Sequence, residues 1–374
     1  MSDRTSTINS NEVGVFTALQ SVVGRYRVPI GALLLVFSVR PVVSMDLLLG
    51  YGAVANSILI WMLFAASFNI LLGYTGLLSF GHAMFLGIGA YVTAIGLARF
   101  DSPFVLSALV ALLVAGVVAY LIARLIAQKG EIYFAMLTLA FGTTAHFVAN
   151  YDPGGLTGGT TGIAGGAVPA WIETERGLKY VSLGGFQFDW YFFVAAAVFV
   201  GLLCIWQLVR SPFGRTLVAI RENRDLARAM GINTYRYKVW AFTLSGVVAA
   251  YAGAILEVNE QGATLSLLTV QTSGDVILMT VLGGANYFFG PLAGAFVWLF
   301  AEDFLTDFET LVLPLEQFPL IRVDLSGVLS YWQFFLGLLF VVAVVVAPRE
   351  GIWGLFRSVV KKAVDRIKSE RDNA

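Results

Sequence analysis

Few side chains in this 374-residue chain could carry out covalent chemistry, and none stands at a spacing that would support it. His82 and His146 are the only histidines, and neither has a second ligand at metal-binding distance along the chain, so no metal site is expected. Cys204 is the only cysteine; it lies in an apolar run, cannot form an internal disulfide, and reads as a core residue. The stretch Gly154-Gly-Leu-Thr-Gly-Gly-Thr-Thr-Gly-Ile-Ala-Gly-Gly166 has the glycine density of a phosphate loop. It lacks the following Lys-Ser or Lys-Thr, and no lysine in the chain completes G-x-x-x-x-G-K, so no nucleotide or other cofactor is expected to bind here. That loop reads instead as a compact polar turn or a plain connector, its glycines allowing tight backbone paths. The chemistry left is noncovalent. Asn69, Thr75, Ser79, His82, Thr138, Thr143 and His146 interrupt apolar runs, Thr157 and Thr160 stand in the glycine loop, and Asp275 is a carboxylate inside a span. Polar groups in such settings face protein or water, which makes these ten residues candidates for lining a path. For His82 a hydrogen bond to a neighbouring helix is the favoured reading over contact with a solute. For Asp275 the structural alternative is a first-turn position behind Ser273 as N-cap.

These residues sit in a chain that is 58% hydrophobic and 13% charged, against about 25% charged in soluble domains. Lys plus Arg and Asp plus Glu are equal at 24 each, which gives no sign of a nucleic-acid partner. A spanning helix needs about 20 apolar residues, and a central charge costs roughly 2.5–3.5 kcal/mol, so charges mark the ends of spans. The sequence then reads as an all-α polytopic membrane protein of about ten transmembrane helices, some broken or re-entrant. The expected spans are 28–49, 52–72, 76–98, 103–127, 132–149, 190–209, 238–257, 270–287, 290–306 and 331–347. The eighth and ninth are glycine-interrupted at Gly283-Gly284 and Gly290-Pro291, and one broken hairpin would serve there nearly as well. The expected organisation is a cytoplasmic segment 1–27, a transmembrane body 28–347 and a cytoplasmic tail 348–374. Within the body lie an external loop 150–189, a cytoplasmic loop 210–237 and an external acidic loop 307–330. No small-residue cleavage site follows the first apolar run, so it reads as an uncleaved span. With both termini cytoplasmic, only Arg40, Arg99, Arg176, Lys179 and Arg322 fall outside, and every other Lys and Arg falls inside. Glu302, Asp303, Asp307, Glu309, Glu316 and Asp324 gather in one stretch placed outside.

Two further stretches are informative. In the 210–237 loop, Ser211-Pro212 starts one helix; Asn223 caps a second, with Asp225 in its first turn and Gly231 just past its end. Leu226 and Met230 would share one face of that short helix and Arg224 and Arg228 another, presenting an apolar knob beside a basic strip. A helix this short is marginal alone, which suits a cytoplasmic partner offering a groove; a basic loop resting on lipid headgroups is the plain alternative. Arg221, Glu222, Asn223, Arg224, Asp225, Leu226, Ala227, Arg228, Met230 and Gly231 are the candidates for this contact. Gly81, Gly87, Gly89, Gly283, Gly284, Gly290 and Gly294 are candidates for close helix packing. The tail from Pro348 alternates basic and apolar residues, as an amphipathic helix on the inner leaflet would.

From about residue 50 to 348 the chain resembles the LivM-type permease subunits of branched-chain amino acid ABC importers. The resemblance rests on Asn69-Ile-Leu-Leu-Gly-Tyr-Thr-Gly-Leu-Leu-Ser-Phe-Gly-His82, Gly87-Ile-Gly-Ala-Tyr91, Tyr133-Phe-Ala-Met-Leu-Thr-Leu-Ala-Phe141 and Thr157-Gly-Gly-Thr-Thr-Gly-Ile163. The Arg210–Asn233 loop, Gly283-Gly-Ala and Gly290-Pro-Leu-Ala-Gly-Ala295 complete it. It implies a non-enzymatic subunit in a prokaryotic inner membrane, working with a second related permease subunit and two cytoplasmic ATPase subunits that use ATP and Mg. It also implies an external solute-binding protein, a docking role for the 210–233 loop, and branched-chain or other hydrophobic amino acids as solute. Urea and short-amide permeases are similar relatives, and an ion-coupled secondary transporter is the rival outside the family. The acidic 301–330 stretch is longer than the resemblance leads one to expect. Reporter fusions after residues 165, 225 and 318 test the topology: an external signal is expected at 165 and 318 and a cytoplasmic one at 225, and a cytoplasmic signal at 165 or 318 would refute it.

Overall fold

The computed structural model describes residues 28–43, 54–164, 172–175, 178–183, 186–307, 332–347 and 350–372. The expected segment 1–27 and nearly all of the acidic loop 307–330 lie outside the described residues. Among the described residues thirteen α-helices follow in chain order: α1 Val28–Val43, α2 Ala55–Thr75, α3 Ala83–Phe100, α4 Phe104–Ile126, α5 Glu131–Tyr151 and α6 Trp190–Arg210. Then come α7 Pro212–Glu222, α8 Arg224–Ala229, α9 Thr234–Glu260, α10 Val270–Gly283, α11 Gly290–Asp307, α12 Trp332–Val346 and α13 Gly351–Asp372. The chain is thus a polytopic helical membrane protein, with helix at each of the ten expected spans. Among the described residues only α2, α3, α4, α5, α6 and α9 are long and apolar enough to cross by themselves. Among the described residues the count of ten full crossings is not reached, because α10 and α12 have 14 and 15 residues there, α1 is similarly short, and α11 carries acids.

α2 is the hub. Its sequence is apolar on every side, as a helix surrounded by protein must be, and 83% of its spanning stretch is buried. It packs against α6, α7, α9, α10 and α11, while α3 and α4 pack on α9 and on each other. α4 is 28% buried over the same measure; Leu109, Leu113, Val117, Leu121 and Leu125 face outward, where acyl chains replace core packing. Lipid offers no hydrophobic drive for helix association, so close contact rests on small residues. A methyl added at Gly89 would collide with the Ala250 carbonyl, one at Gly253 with that of Leu86, and one at Gly81 with that of Thr138. Gly87 makes room for the Leu268 side chain, and Gly283, Gly284, Gly290 and Gly294 crowd together where α10 meets α11.

Several expectations are corrected. The third span was expected from residue 76, but α3 starts at Ala83, because Gly76 turns left-handed (φ 70°) and ends α2. α9 starts at Thr234, four residues earlier than 238, since the Asn233 side chain caps it through the Arg236 N–H. Glu302 and Asp303 belong to α11, not to a loop, because no glycine or proline stops that helix before Asp307. Cys204 is exposed, not core: the buried stripe of α6 runs through Val194, Val198, Gly201, Leu202 and Ile205, and Cys204 falls beside it. The 150–189 loop, expected without strands, contains them. β2 Ile172–Glu175, β3 Leu178–Leu183 and β4 Phe186–Asp189 form an antiparallel sheet, with Ile172 opposite Val181 and Val181 opposite Phe188. β1 Ile163–Ala164 pairs with β5 Gly262–Ala263, tying this loop to the C-terminal end of α9. In the glycine loop, the Thr157 N–H, then its hydroxyl and the Gly158 N–H, donate to Asp152 and hold that carboxyl below the usual carboxylate range.

Gly89→Ala is expected to destabilise the protein by about 1–3 kcal/mol, the usual cost of overpacking. Gly274→Ala, where open space surrounds the new methyl, should leave stability near wild type. Thermal unfolding in detergent reads the difference, and equal midpoints would refute the packing account.

Candidate functional site

Between α2 and α3 the backbone runs without helix from Gly76 through Ser79, with a turn from Phe80 to His82. Lipid would leave such backbone unsatisfied, so other helices must supply its partners. The Phe80 N–H donates to the Thr138 hydroxyl of α5 at 3.2 Å, and that hydroxyl donates to the Ala135 carbonyl at 2.8 Å. The Ala83 N–H, the first of α3, donates to the Ser273 hydroxyl of α10 at 3.0 Å. Ser79, His82, Thr138 and Ser273 are all buried.

His82 lies at the end of this break inside a cage of rings, with centroids of Phe64, Phe68 and Phe85 at 5.6, 5.3 and 5.8 Å. Its Nε2 stands 3.2 Å from the Ser67 hydroxyl and 3.4 Å from that of Ser245. Both hydroxyls already spend their protons, Ser67 on the Phe64 carbonyl at 2.7 Å and Ser245 on the Ser67 carbonyl at 2.6 Å. Nε2 must therefore be the donor, which fixes the tautomer and leaves Nδ1 as a buried acceptor with no partner among the described residues. The ring joins α2, α3 and α9.

A second break, residues 284–289, joins α10 to α11. Gly283 and Gly290 meet so closely that any side chain on either would strike the other's backbone segment. Asn69 of α2 donates to the Tyr287 carbonyl at 3.3 Å. Arg221 of α7 donates to the Gly73 carbonyl and, at 3.1 Å, to Asn286 Oδ1. From the tail, the Trp353 ring lies 5.2 Å from Phe289 and the Arg357 guanidinium 5.9 Å from the Tyr287 ring.

The 210–237 loop is helical almost throughout. Ser211 accepts from the Gly214 N–H at 3.3 Å to start α7, and Pro212 fills the first position, where no N–H is needed. Asn223 accepts from the Leu226 N–H at 2.9 Å to start α8. Gly231 (φ 83°) closes it: the Ile232 N–H donates to the Ala227 carbonyl and the Gly231 N–H to that of Arg228, a Schellman pair. Leu226 and Met230 are 58% and 75% exposed, more than apolar side chains off the lipid belt ordinarily are. Ala227 is buried beneath them; Glu222, Asp225 and Arg228 are exposed and Arg224 is half-buried.

The path candidates separate into groups. Asn69, Ser79, His82 and Thr138 gather at the two breaks, and buried Thr75 bonds back to the Leu71 carbonyl at the end of α2. Thr143 is exposed and His146 half-buried further along α5, while Thr157 and exposed Thr160 lie in the glycine loop. Asp275 is the sixth residue of α10, not a first-turn residue: Thr269 is the N-cap, accepting from the Thr272 N–H at 3.3 Å. Ser273 instead serves α3, a helix distant in sequence. Ser67 and Ser245 carry no motif in the sequence, although a serine in an apolar run is itself a sign of a polar contact.

The family described as branched-chain amino acid transport system / permease component matches residues 50–344. The high-affinity branched-chain amino acid transport system permease protein LivM of Escherichia coli K12 is 26% identical over 272 residues, 68% of this chain and 64% of that protein. Its Salmonella typhimurium LT2 counterpart is 25% identical over the same length and shares. The autoinducer 2 import system permease protein LsrC of Salmonella paratyphi B is 28% identical over 214 residues, 54% of this chain and 53% of LsrC. The match thus covers slightly under two thirds of the LivM relatives' length. No solved structure matches. The chain belongs to the branched-chain amino acid transport permease family.

Ser273→Ala removes the acceptor of the Ala83 N–H, and a loss of about 0.5–2 kcal/mol is expected, as for other N-terminal caps. A lowered unfolding midpoint in detergent, restored by Ser273→Thr, is the predicted result; an unchanged midpoint in Ser273→Ala would remove Ser273 as a support of α3.

Proposed function

We propose that this member of the permease family is a transmembrane subunit of an ATP-driven importer that passes branched-chain or other hydrophobic amino acids into the cytoplasm. It binds no nucleotide or other cofactor and does no covalent chemistry; separate cytoplasmic ATPase subunits use ATP and Mg. A second related permease subunit completes the pore, and an external solute-binding protein delivers the solute. The chain sits in a prokaryotic inner membrane, with its N-terminal segment, α7–α8 and its tail on the cytoplasmic side.

The observation that carries this reading is α8. It is six residues long, capped at both ends, and turns Leu226 and Met230 into open space beside Arg228. Leaving two large apolar side chains in water forgoes roughly 1.5–3 kcal/mol each, which a partner groove would recover. Closure of the ATPases would then move α8, and through α7 the helices that flank the two breaks, alternating access to a polar path. Asn69, Thr75, Ser79, His82, Thr138, Thr143, His146, Thr157, Thr160 and Asp275 remain the candidates to line it.

The likeness to LsrC, named for autoinducer 2 import, favours a second reading of the solute alone: a small polar molecule in place of an amino acid. Uptake of labelled leucine, with isoleucine, urea or autoinducer 2 as competitors, separates the two. Leu226→Arg and Gly231→Pro should each lower uptake by roughly a factor of ten or more while the protein stays inserted, since proline cannot adopt a positive φ. Normal uptake in both variants would remove the docking role. Uptake that survives ATP depletion with ion gradients intact would replace the whole reading with an ion-coupled transporter.

A further inference from the structure

We infer that Arg221 is the joint through which movement of the cytoplasmic helices reaches both breaks in the membrane body. The inference rests on the docking role proposed for α8, and it concerns a side chain that faces the other way. Arg221 stands two residues before Asn223, the shared boundary of α7 and α8, but its side chain turns inward and is 28% exposed. One guanidinium nitrogen serves two acceptors on separate elements: the Gly73 carbonyl in the last turn of α2 and Asn286 Oδ1 in the α10–α11 turn. The other nitrogen is held by Glu222 at 2.8 Å, which fixes the fork from its own helix.

The arrangement uses features that only an arginine and these acceptors combine. The last carbonyls of a helix have no partner within it and carry its negative pole, so a cation is favoured there. α2 ends at Gly76, and the Leu77 N–H, which a continuing helix would aim at Gly73, returns instead to Leu71, so the Gly73 carbonyl is left for Arg221. Gly76 also leaves space for the stem of that side chain: an added methyl would lie 3.0 Å from Arg221 Cγ. The planar fork can hold two acceptors in fixed geometry, whereas a lysine offers a single point of charge.

Position gives the contact its meaning. Gly73 lies three residues before the first break begins, and Asn286 lies within the second. α7 is anchored to the body by buried Gly214, Leu217 and Ile220, so it moves as a lever and not as a loose loop. A shift of α8 displaces Arg221, and Arg221 carries both breaks with it. Arg221 is thus a positioning residue that acts on the path without touching solute.

The test compares Arg221→Ala, Arg221→Lys and Asn286→Ala in the complete importer, with Leu226→Arg alongside. Two quantities are read: ATPase subunits recovered with the tagged chain, and solute taken up per ATP hydrolysed. Arg221→Ala should recover the ATPases at the wild-type level while uptake per ATP falls roughly tenfold, within the range of coupling between distant sites. Arg221→Lys should fall between it and wild type, and Asn286→Ala should shift the ratio in the same direction. A merely structural role would lower the amount of complex and leave the ratio of the surviving complex unchanged. Wild-type uptake per ATP in all three variants overturns the joint, as does loss of the ATPases from Arg221→Ala. If Leu226→Arg keeps both ATPases and uptake, the docking role falls and the joint falls with it; if Leu226→Arg alone fails, docking stands and the joint does not.

Discussion

A lipid bilayer cannot hydrogen-bond to a peptide group, and this one fact governs the whole molecule. A continuous helix answers it alone. Where the helix stops inside the body, each freed N–H or carbonyl needs a side chain from elsewhere, and the breaks at 76–82 and 284–289 receive theirs from remote elements. Thr138 serves Phe80, Ser273 serves Ala83, Asn69 serves Tyr287 and Arg221 serves Gly73. The polar residues of the apolar runs are therefore, first of all, what lets the backbone leave helical form. Any part they take in passing a solute is added to that duty.

The same constraint explains the serine and histidine cluster. Membrane-embedded hydrogen bonds average only about 0.6 kcal/mol, because the unfolded helices also find partners, so no single bond holds His82. Its place is fixed by the ring cage together with Ser67 and Ser245, each of which has its own proton committed. The cost of misplacing a polar group among the phenyl rings sharpens the geometry more than the bonds themselves do.

Much of this was legible in the sequence because much of it is local. Helix positions follow from apolar length and flanking charge. The limits of α8 follow from Asn223 and Gly231, whose effects reach no further than three or four residues. What escaped was set by distant partners. The sequence around Gly76 is apolar enough to continue as helix, and partners such as Thr138 and Ser273, each more than 50 residues away, make its unwinding tolerable. Ser273 looked like a cap for its own helix and caps another. Cys204 looked like core because its neighbours are apolar, yet in a membrane protein apolar surroundings describe the outside as well as the inside. Arg221 reads as one more basic residue in a basic loop until the fold brings Gly73 and Asn286 beside it.

The contact of Gly89 with Ala250, and of Gly253 with Leu86, sets where this body can bend. Two helices meshed backbone to backbone have no layer of side chains to act as bearings, so sliding one along the other means lifting them apart first. α3 and α9, with α4 packed over both, therefore travel as one block. α10 and α11 mesh in the same way at Gly283, Gly290 and Gly294, which leaves sliding to the contacts between the two pairs.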